Sequence, residues 1–248
     1  MPNPRPAADI PLAPKTLPRL KEISTATIAT LLYKKGFKNC YIQGVSPLAA
    51  DSPRMVGPAF TLRYIAARED TDPIEAFREP DHPQRVAIET CPAGHVLVMD
   101  CRQDATAASA GSILLTRLHV RGGAGVVTDG GIRDAAGAAK LAMPVFAAQP
   151  SAPTNLTKHH AIDIDVPISC GGAAVYPGDI IVGDADGTMV IPRHLADEIA
   201  EEGAPMELFE DFVLEEILRG VEVIGLYPPT DPDTLVRFEA WKVATSGG

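Results

Sequence analysis

Gly122-Gly123-Ala124-Gly125-Val126-Val127-Thr128-Asp129-Gly130-Gly131-Ile132-Arg133-Asp134 is the stretch that decides the fold. Its centre is a glycine-bounded apolar run with the composition of a buried strand. The run delivers an adjacent cation and anion, Arg133 and Asp134, to a strand end or helix start, which is where an α/β protein places its chemistry. A carboxylate there can hold a hard divalent cation, and the guanidinium beside it can clamp a carboxylate or an enolate oxygen. Taken alone, the dipeptide equally suits a salt-bridged helix N-terminus with Asp134 set against the helix dipole. The leading glycines do not form a nucleotide loop. They precede the strand, whereas a dinucleotide fingerprint follows one and opens a helix, and no Walker lysine comes after them.

Outward from this run, strands and helices alternate, which predicts an α/β layered fold. Upstream, residues 107–118 begin as a small-residue turn and become a helix. If Gly111 and Ser112 open that helix, its unpaired backbone N–H groups form a ready anion site. Downstream, a helix through Leu141 leads to a strand over residues 144–147. Residues 60–65 alternate as a strand should, and residues 95–100 read as a second, mostly buried strand. Between them, the charged segment 68–85 reads as a surface loop or short helix. The spacing of Ile23, Ile28, Leu31 and Leu32 predicts one amphipathic helix over residues 20–35, ended by Gly36. Residues 178–192 predict a β-hairpin with Asp-Gly in its turn. A long helix carrying Leu195, Ile199, Leu208, Phe212 and Ile217 follows, with an interruption expected near residues 203–205. Prolines at 2, 4, 6, 11, 14 and 18 predict an extended arm over residues 1–18. One domain over 19–227 and a loose tail over 228–248 complete the organisation.

At 248 residues and 46% hydrophobic content the chain can bury a full core. Its net charge of −10 argues against a nucleic-acid surface, because phosphate contacts need a basic patch. No apolar stretch is long enough to span a membrane and the start has no apolar signal core, so a cytoplasmic location is expected. Cys40, Cys91, Cys101 and Cys170 are too scattered for a zinc site or disulfide framework. His159 and His160, being adjacent, point in different directions and read as loop surface, and Asp163 and Asp165 lack a third ligand. Asp179, Asp184 and Asp186 suit a hairpin turn. Lys140 is the one lysine near the central run, where a Schiff-base role competes with the commoner helix-surface one. No G-x-S-x-G elbow signals a serine nucleophile.

The pieces that remain are Gly111-Ser112-Ile113-Leu114, the run from Gly125 to Asp134, Pro144-Val145-Phe146-Ala147, and Val175-Tyr176-Pro177-Gly178-Asp179 through Gly183-Asp184-Ala185-Asp186-Gly187. In this order, over roughly residues 20–227, they make the sequence similar to the RraA-like family, which includes the 4-hydroxy-4-methyl-2-oxoglutarate aldolases, class II pyruvate aldolases. The resemblance implies a single-domain α/β/α layered subunit of the phosphohistidine swivelling-domain type. It also implies a trimeric ring, which can stack as a hexamer, with active sites in clefts between subunits. By the same resemblance, the backbone amides of Gly111, Ser112, Ile113 and Leu114 bind the pyruvyl carboxylate, Arg133 contacts substrate oxygens, and Asp134 holds Mg²⁺ or Mn²⁺. The implied activity is cleavage of a 4-hydroxy-2-oxo acid to pyruvate, with oxaloacetate decarboxylation on the side. Glu210 from a neighbouring subunit, with Asp211 close behind, is the candidate acid that completes the site. The family's namesake inhibits a ribonuclease by protein contact, which supplies the alternative of a regulatory binding protein. Two positions depart from the aldolase pattern: Ser112 and Gly137 stand where acids are common.

Overall fold

Ser24 breaks the first expected helix in two. Its Oγ accepts the Thr27 amide at 3.1 Å, so the chain forms α1 (Thr16–Leu20), a turn that buries Ile23, and α2 (Thr25–Lys34), with Gly36 following at positive φ as expected. The structure, a computed structural model, describes residues 10–245, so most of the expected N-terminal arm lies outside the described residues. Within the described part of that arm, Thr16–Leu20 is helical despite Pro18.

The remaining elements are β1 (Ser46–Pro47), β2 (Met55–Ala66), α3 (Pro83–Thr90), β3 (Val96–Asp100), β4 (Ala108–Gly111), α4 (Ser112–Val120), β5 (Gly125–Arg133), α5 (Ala135–Ala138) and β6 (Val145–Pro150). They continue through β7 (His159–Ile164), β8 (Ile168–Cys170), β9 (Ala173–Val175), β10 (Ile180–Asp184), β11 (Gly187–Ile191), α6 (Ala196–Leu218) and α7 (Pro232–Thr245). The main sheet runs β1-β6-β5-β3-β2-β10-β11, with β4 also beside β5 and β7 beside β2. β2, β3, β5 and β6 are mutually parallel, and the hairpin β10–β11 adds antiparallel to β2.

The α/β class holds, but a flat sheet between two helix layers does not form. β1 and β11, the two ends of the strand order, approach one another, so the sheet curls into a nearly closed barrel. Side-chain alternation fills both faces: Val96 and Val98 of β3 pack with Val127, Phe146 and Ile181 on one face, while Leu97 and Met99 pack with Leu62, Leu115 and Leu118 on the other. The small β8–β9 ribbon adds Ile168, Cys170 and Val175 to the first of these clusters. α1, α2 and α6 cover Val56, Ile180, Val182 and Ile191 in a third. The curl follows from β2, whose first residues pair with β10 and whose later residues pair with β3 and β7.

Two C-terminal expectations are corrected. α6 is continuous through Pro205, and a Cβ on Gly203 would stand 2.7 Å from Ile23 Cδ1, so the glycine serves close packing on the α1–α2 turn and not a break. The tail beyond Tyr227 is no loose segment, since α7 docks Phe238 and Trp241 onto Phe209 and Phe212, and Trp241 Nε1 donates to Glu215 at 2.9 Å. The expected hairpin is present, with Ala185-Asp186 as its turn and Gly187 opening β11. Among the described residues no helix is long and apolar enough to cross a membrane.

Candidate functional site

β5 changes partner half-way along, and this change builds the site. Gly125–Thr128 lie beside β3, whereas Gly131–Arg133 lie beside β4, so Arg133 ends opposite Gly111. At the handover sits Asp129, 2% exposed, whose carboxylate accepts backbone N–H groups of Cys101 (2.6 Å), Gln103 (3.1 Å) and Gly171 (3.0 Å). Burial pushes the Asp129 carboxyl up from its ordinary value, the neighbouring Asp100 adds to this, and the three amides oppose it. Close approach of β4 also requires Gly131. A Cβ there would collide with Ser151 Cβ and stand 2.9 Å from the Ala107 carbonyl oxygen.

α4 starts directly after Gly111, which is extended (φ −124°, ψ 171°) and gives no side-chain cap, so the first amides of α4 lack an intrahelical acceptor. Across from them Asp134 is held left-handed at φ 54°, ψ 39°, an uncommon conformation for a residue other than glycine. Its carbonyl accepts the Gly137 and Ala138 amides at 2.8 and 3.0 Å, while among the described residues its carboxylate Oδ2 receives only the Ser112 hydroxyl, at 3.3 Å. Neither Arg133 nor Asp134 enters an ion pair among the described residues. A salt-bridged helix start would show one, so that reading is disfavoured.

Gly111, Ile113, Leu114, Arg133 and Asp134 line one open cleft of about 300 Å³. A second recess of about 310 Å³, bordered by Pro150, Ser151 and Ala152, lies beyond the same Arg133-Asp134 pair. Ser112 stands at the Asp134 side of the first cleft, and a Cβ on Gly137 would lie 3.5 Å from Ser112 Cβ. The two departures from the aldolase pattern therefore meet at one spot beside Asp134. Among the described residues no three His, Cys, Asp or Glu side chains cluster as a metal cage. Asp134 with Ser112 offers one carboxylate and a hydroxyl, an oxygen donor set that fits a hard cation retaining most of its own water.

The other candidates lie elsewhere. Glu210 is engaged within its own chain, accepting from Tyr227 Oη at 2.7 Å and Thr27 Oγ1 at 3.4 Å. Lys140 is exposed and lines neither recess. His159 and His160 lie in β7 and not on a loop surface: His160 Nδ1 meets Asp72 at 2.7 Å, while His159 is buried beside Arg102, so the two part as strand neighbours must. Asp184 accepts the Thr25 amide at 2.8 Å and hydroxyl at 2.6 Å at the start of α2, a structural role. Sequence reasoning missed Asp129, hidden in an apolar run, and the cleft residues Phe77, Gln84, Arg85 and Asn155. The first three of those cleft residues fall in the segment read as surface, and no motif marks them.

Residues 25–190 match the RraA-like family model, described as aldolase/RraA. The chain belongs to the RraA-like family. It is 34% identical over 177 residues, 71% of this chain and 78% of the relative, to a Halalkalibacterium halodurans protein provisionally named a 4-hydroxy-4-methyl-2-oxoglutarate aldolase. A Burkholderia mallei protein with the same provisional name is 33% identical over 137 residues, 55% of this chain and 74% of the relative. Among solved structures, Streptomyces coelicolor RraAS2, described as an unusual member of the RNase ES inhibitor RraA protein family, aligns with a TM-score of 0.73 at 29% identity. That alignment covers 82% of this chain and 97% of RraAS2. α7 and all of α6 lie beyond the stretch that matches the RraA-like family model.

Proposed function

We propose that this RraA-like protein is a divalent-metal-dependent lyase that cleaves a 4-hydroxy-2-oxo acid to pyruvate and a second carbonyl compound, with oxaloacetate decarboxylation through the same enolate. The observation that carries this reading is the single cleft faced by Arg133, Asp134 and the start of α4. The uncapped amides from Gly111 to Leu114 receive the substrate carboxylate. Asp134 is the residue that would hold Mg²⁺ or Mn²⁺, and a cation there supplies Lewis-acid polarisation of the 2-oxo group. As the 4-hydroxyl gives up its proton to solvent water and the bond between C3 and C4 breaks, the electron pair of that bond moves onto the 2-oxo oxygen. The Arg133 guanidinium stabilises the negative charge that collects there, and protonation at C3 then gives pyruvate. Asp134 is the one acid among the cleft-lining residues, so the trimeric ring, with Glu210 of a neighbouring subunit completing the site, belongs to the same proposal.

A second reading, inhibition of a ribonuclease by protein contact, draws on the likeness to RraAS2 and on the absence of acids at Ser112 and Gly137. Pyruvate release from a panel of 4-hydroxy-2-oxo acids, with Mg²⁺, Mn²⁺ or chelator, separates the two. The aldolase reading expects turnover that chelator stops and that Asp134→Ala abolishes without loss of fold. No release from any member of the panel would overturn it in favour of the binding protein.

A further inference from the structure

We infer that Arg85 is the specificity residue of this cleft, a second guanidinium that selects 2-oxo acids carrying a distal carboxylate. The inference rests on the proposed function in assigning the first carboxylate to the amides of α4 and the charge of Asp134 to a cation.

Pro83 at the first position of α3 sets the helix start, and Gln84, next along, ties the helix to β4. Gln84 Nε2 donates to the Ser109 carbonyl at 2.6 Å, and the same carbonyl receives Tyr64 Oη at 2.8 Å. Because β4 runs on into Gly111, this tether fixes Arg85 relative to the α4 amides, and Arg85 lines the same cleft as Gly111 and Arg133. The Arg85 guanidinium lies 4.6 Å from the Phe77 ring centroid, so one of its faces is held by a cation–π contact. Its Nη1 is shut off from solvent without a hydrogen-bond partner, and Arg85 enters no ion pair among the described residues.

A buried guanidinium N–H without an acceptor is costly, and such groups in folded proteins are normally satisfied. The Arg85 charge also lacks a counter-ion among the described residues, and an anion in the cleft that this side chain lines supplies one. The α4 amides already account for one carboxylate and Arg133 for the 2-oxo oxygen, and the charge of Asp134, the one acid in the lining, is committed to a cation in the proposed mechanism. A ligand with a single carboxylate would leave Arg85 unpaired. A 2-oxo diacid presents a second carboxylate, which the planar fork of Arg85 matches.

The test is isothermal titration of the full chain in Mg²⁺ with 2-oxoglutarate and with 2-oxopentanoate. These acids share five carbons, differ in the distal carboxylate, and lack the 4-hydroxyl needed for cleavage. The wild-type protein should bind 2-oxoglutarate tighter by roughly 10- to 100-fold, the range of a charge-assisted pair. Arg85→Gln should make the two acids bind alike, and Arg85→Lys should keep part of the preference, with melting curves confirming that both variants fold. Equal wild-type affinities, no binding of either acid, or a preference that survives Arg85→Gln would each overturn the inference. Failure of the aldolase reading looks different: the preference and its loss in Arg85→Gln would stand while no 4-hydroxy-2-oxo acid releases pyruvate.

Discussion

Replacing Ser112 by aspartate sets a second carboxylate beside Asp134, at the spot where the two acids common in the aldolases are both absent. The Ser112 hydroxyl lies 3.3 Å from Asp134 Oδ2, which fixes the spacing of the new pair. A cation bound to Asp134 at about 2 Å would then stand about 4 Å from the new carboxylate. At that distance a unit charge pair is worth about 1 kcal/mol in water, and a divalent ion doubles it to about 2 kcal/mol. The water value applies because Asp134 is exposed. Ser112→Asp should therefore tighten Mg²⁺ or Mn²⁺ binding about 30-fold. Without cation the two carboxylates repel by about 1 kcal/mol, which lowers the melting temperature by about 2–4 °C for a chain of this size. Titration calorimetry with each metal and melting curves with and without chelator read both effects, and Ser112→Asn controls for size. A cation-free protein that melts lower while binding Mg²⁺ no more tightly would refute Asp134 as the cation ligand.

Arg133→Lys keeps the charge but loses the planar fork, and should cost roughly 10²-fold in kcat/KM with little change in melting temperature; lost stability with intact specific activity would make Arg133 structural. Gly131→Ala forces a Cβ against Ser151 and the Ala107 carbonyl, and should destabilise the fold by about 1–3 kcal/mol in denaturant titration. A fully stable variant would contradict the close approach of β4. His159 is held below its ordinary value of 6.5 first by burial and then by the Arg102 charge. The unfolded chain consequently binds more protons as pH falls below 6.5, so this histidine removes stability on acidification. His159→Asn should lessen the fall in denaturant midpoint between about pH 7.5 and 5.5 relative to wild type, and parallel profiles would show that the folded and unfolded chains protonate His159 alike.

Much of the site was legible because its parts are local. The 125–134 run carries its own strand signal, and Gly111-Ser112 marks a helix start by residue type alone. The rest depends on pairings that residue order does not encode. The curl of the sheet arises where β2 is shared among β10, β3 and β7, and no alternation pattern within β2 announces a change of partner. Arg85 sits in a charged, proline-bearing segment whose composition is that of a solvated surface, and only the Gln84–Ser109 tether turns it into a cleft wall. Pro205 and the segment after Tyr227 misled for the opposite reason, because tertiary packing overrides weak local propensity. α6 is held through Ile199, Ala200 and Gly203, and α7 by its aromatic contacts.

The geometry of Arg133 and Asp134 thus depends on residues that have no place in a reaction. β3 ends at Asp100, and the turn that follows puts Arg102 and Gln103 at φ of 59° and 58°, uncommon for either side chain. Asp129 spans the gap this leaves, holding that turn and Gly171 with one carboxylate. With β3 gone, the space beside β5 is free for β4, and the missing side chain at Gly131 lets β4 and Ser151 close on the strand from both sides. That closure sets Gly111 opposite Arg133 and starts α4 beside the Asp134 carboxylate. A loop of equal length could bring the same residues near one another, but it would not fix the α4 amides and the guanidinium in one geometry. Fixed placement is what lets such groups stabilise charge without reorganising at the moment of reaction.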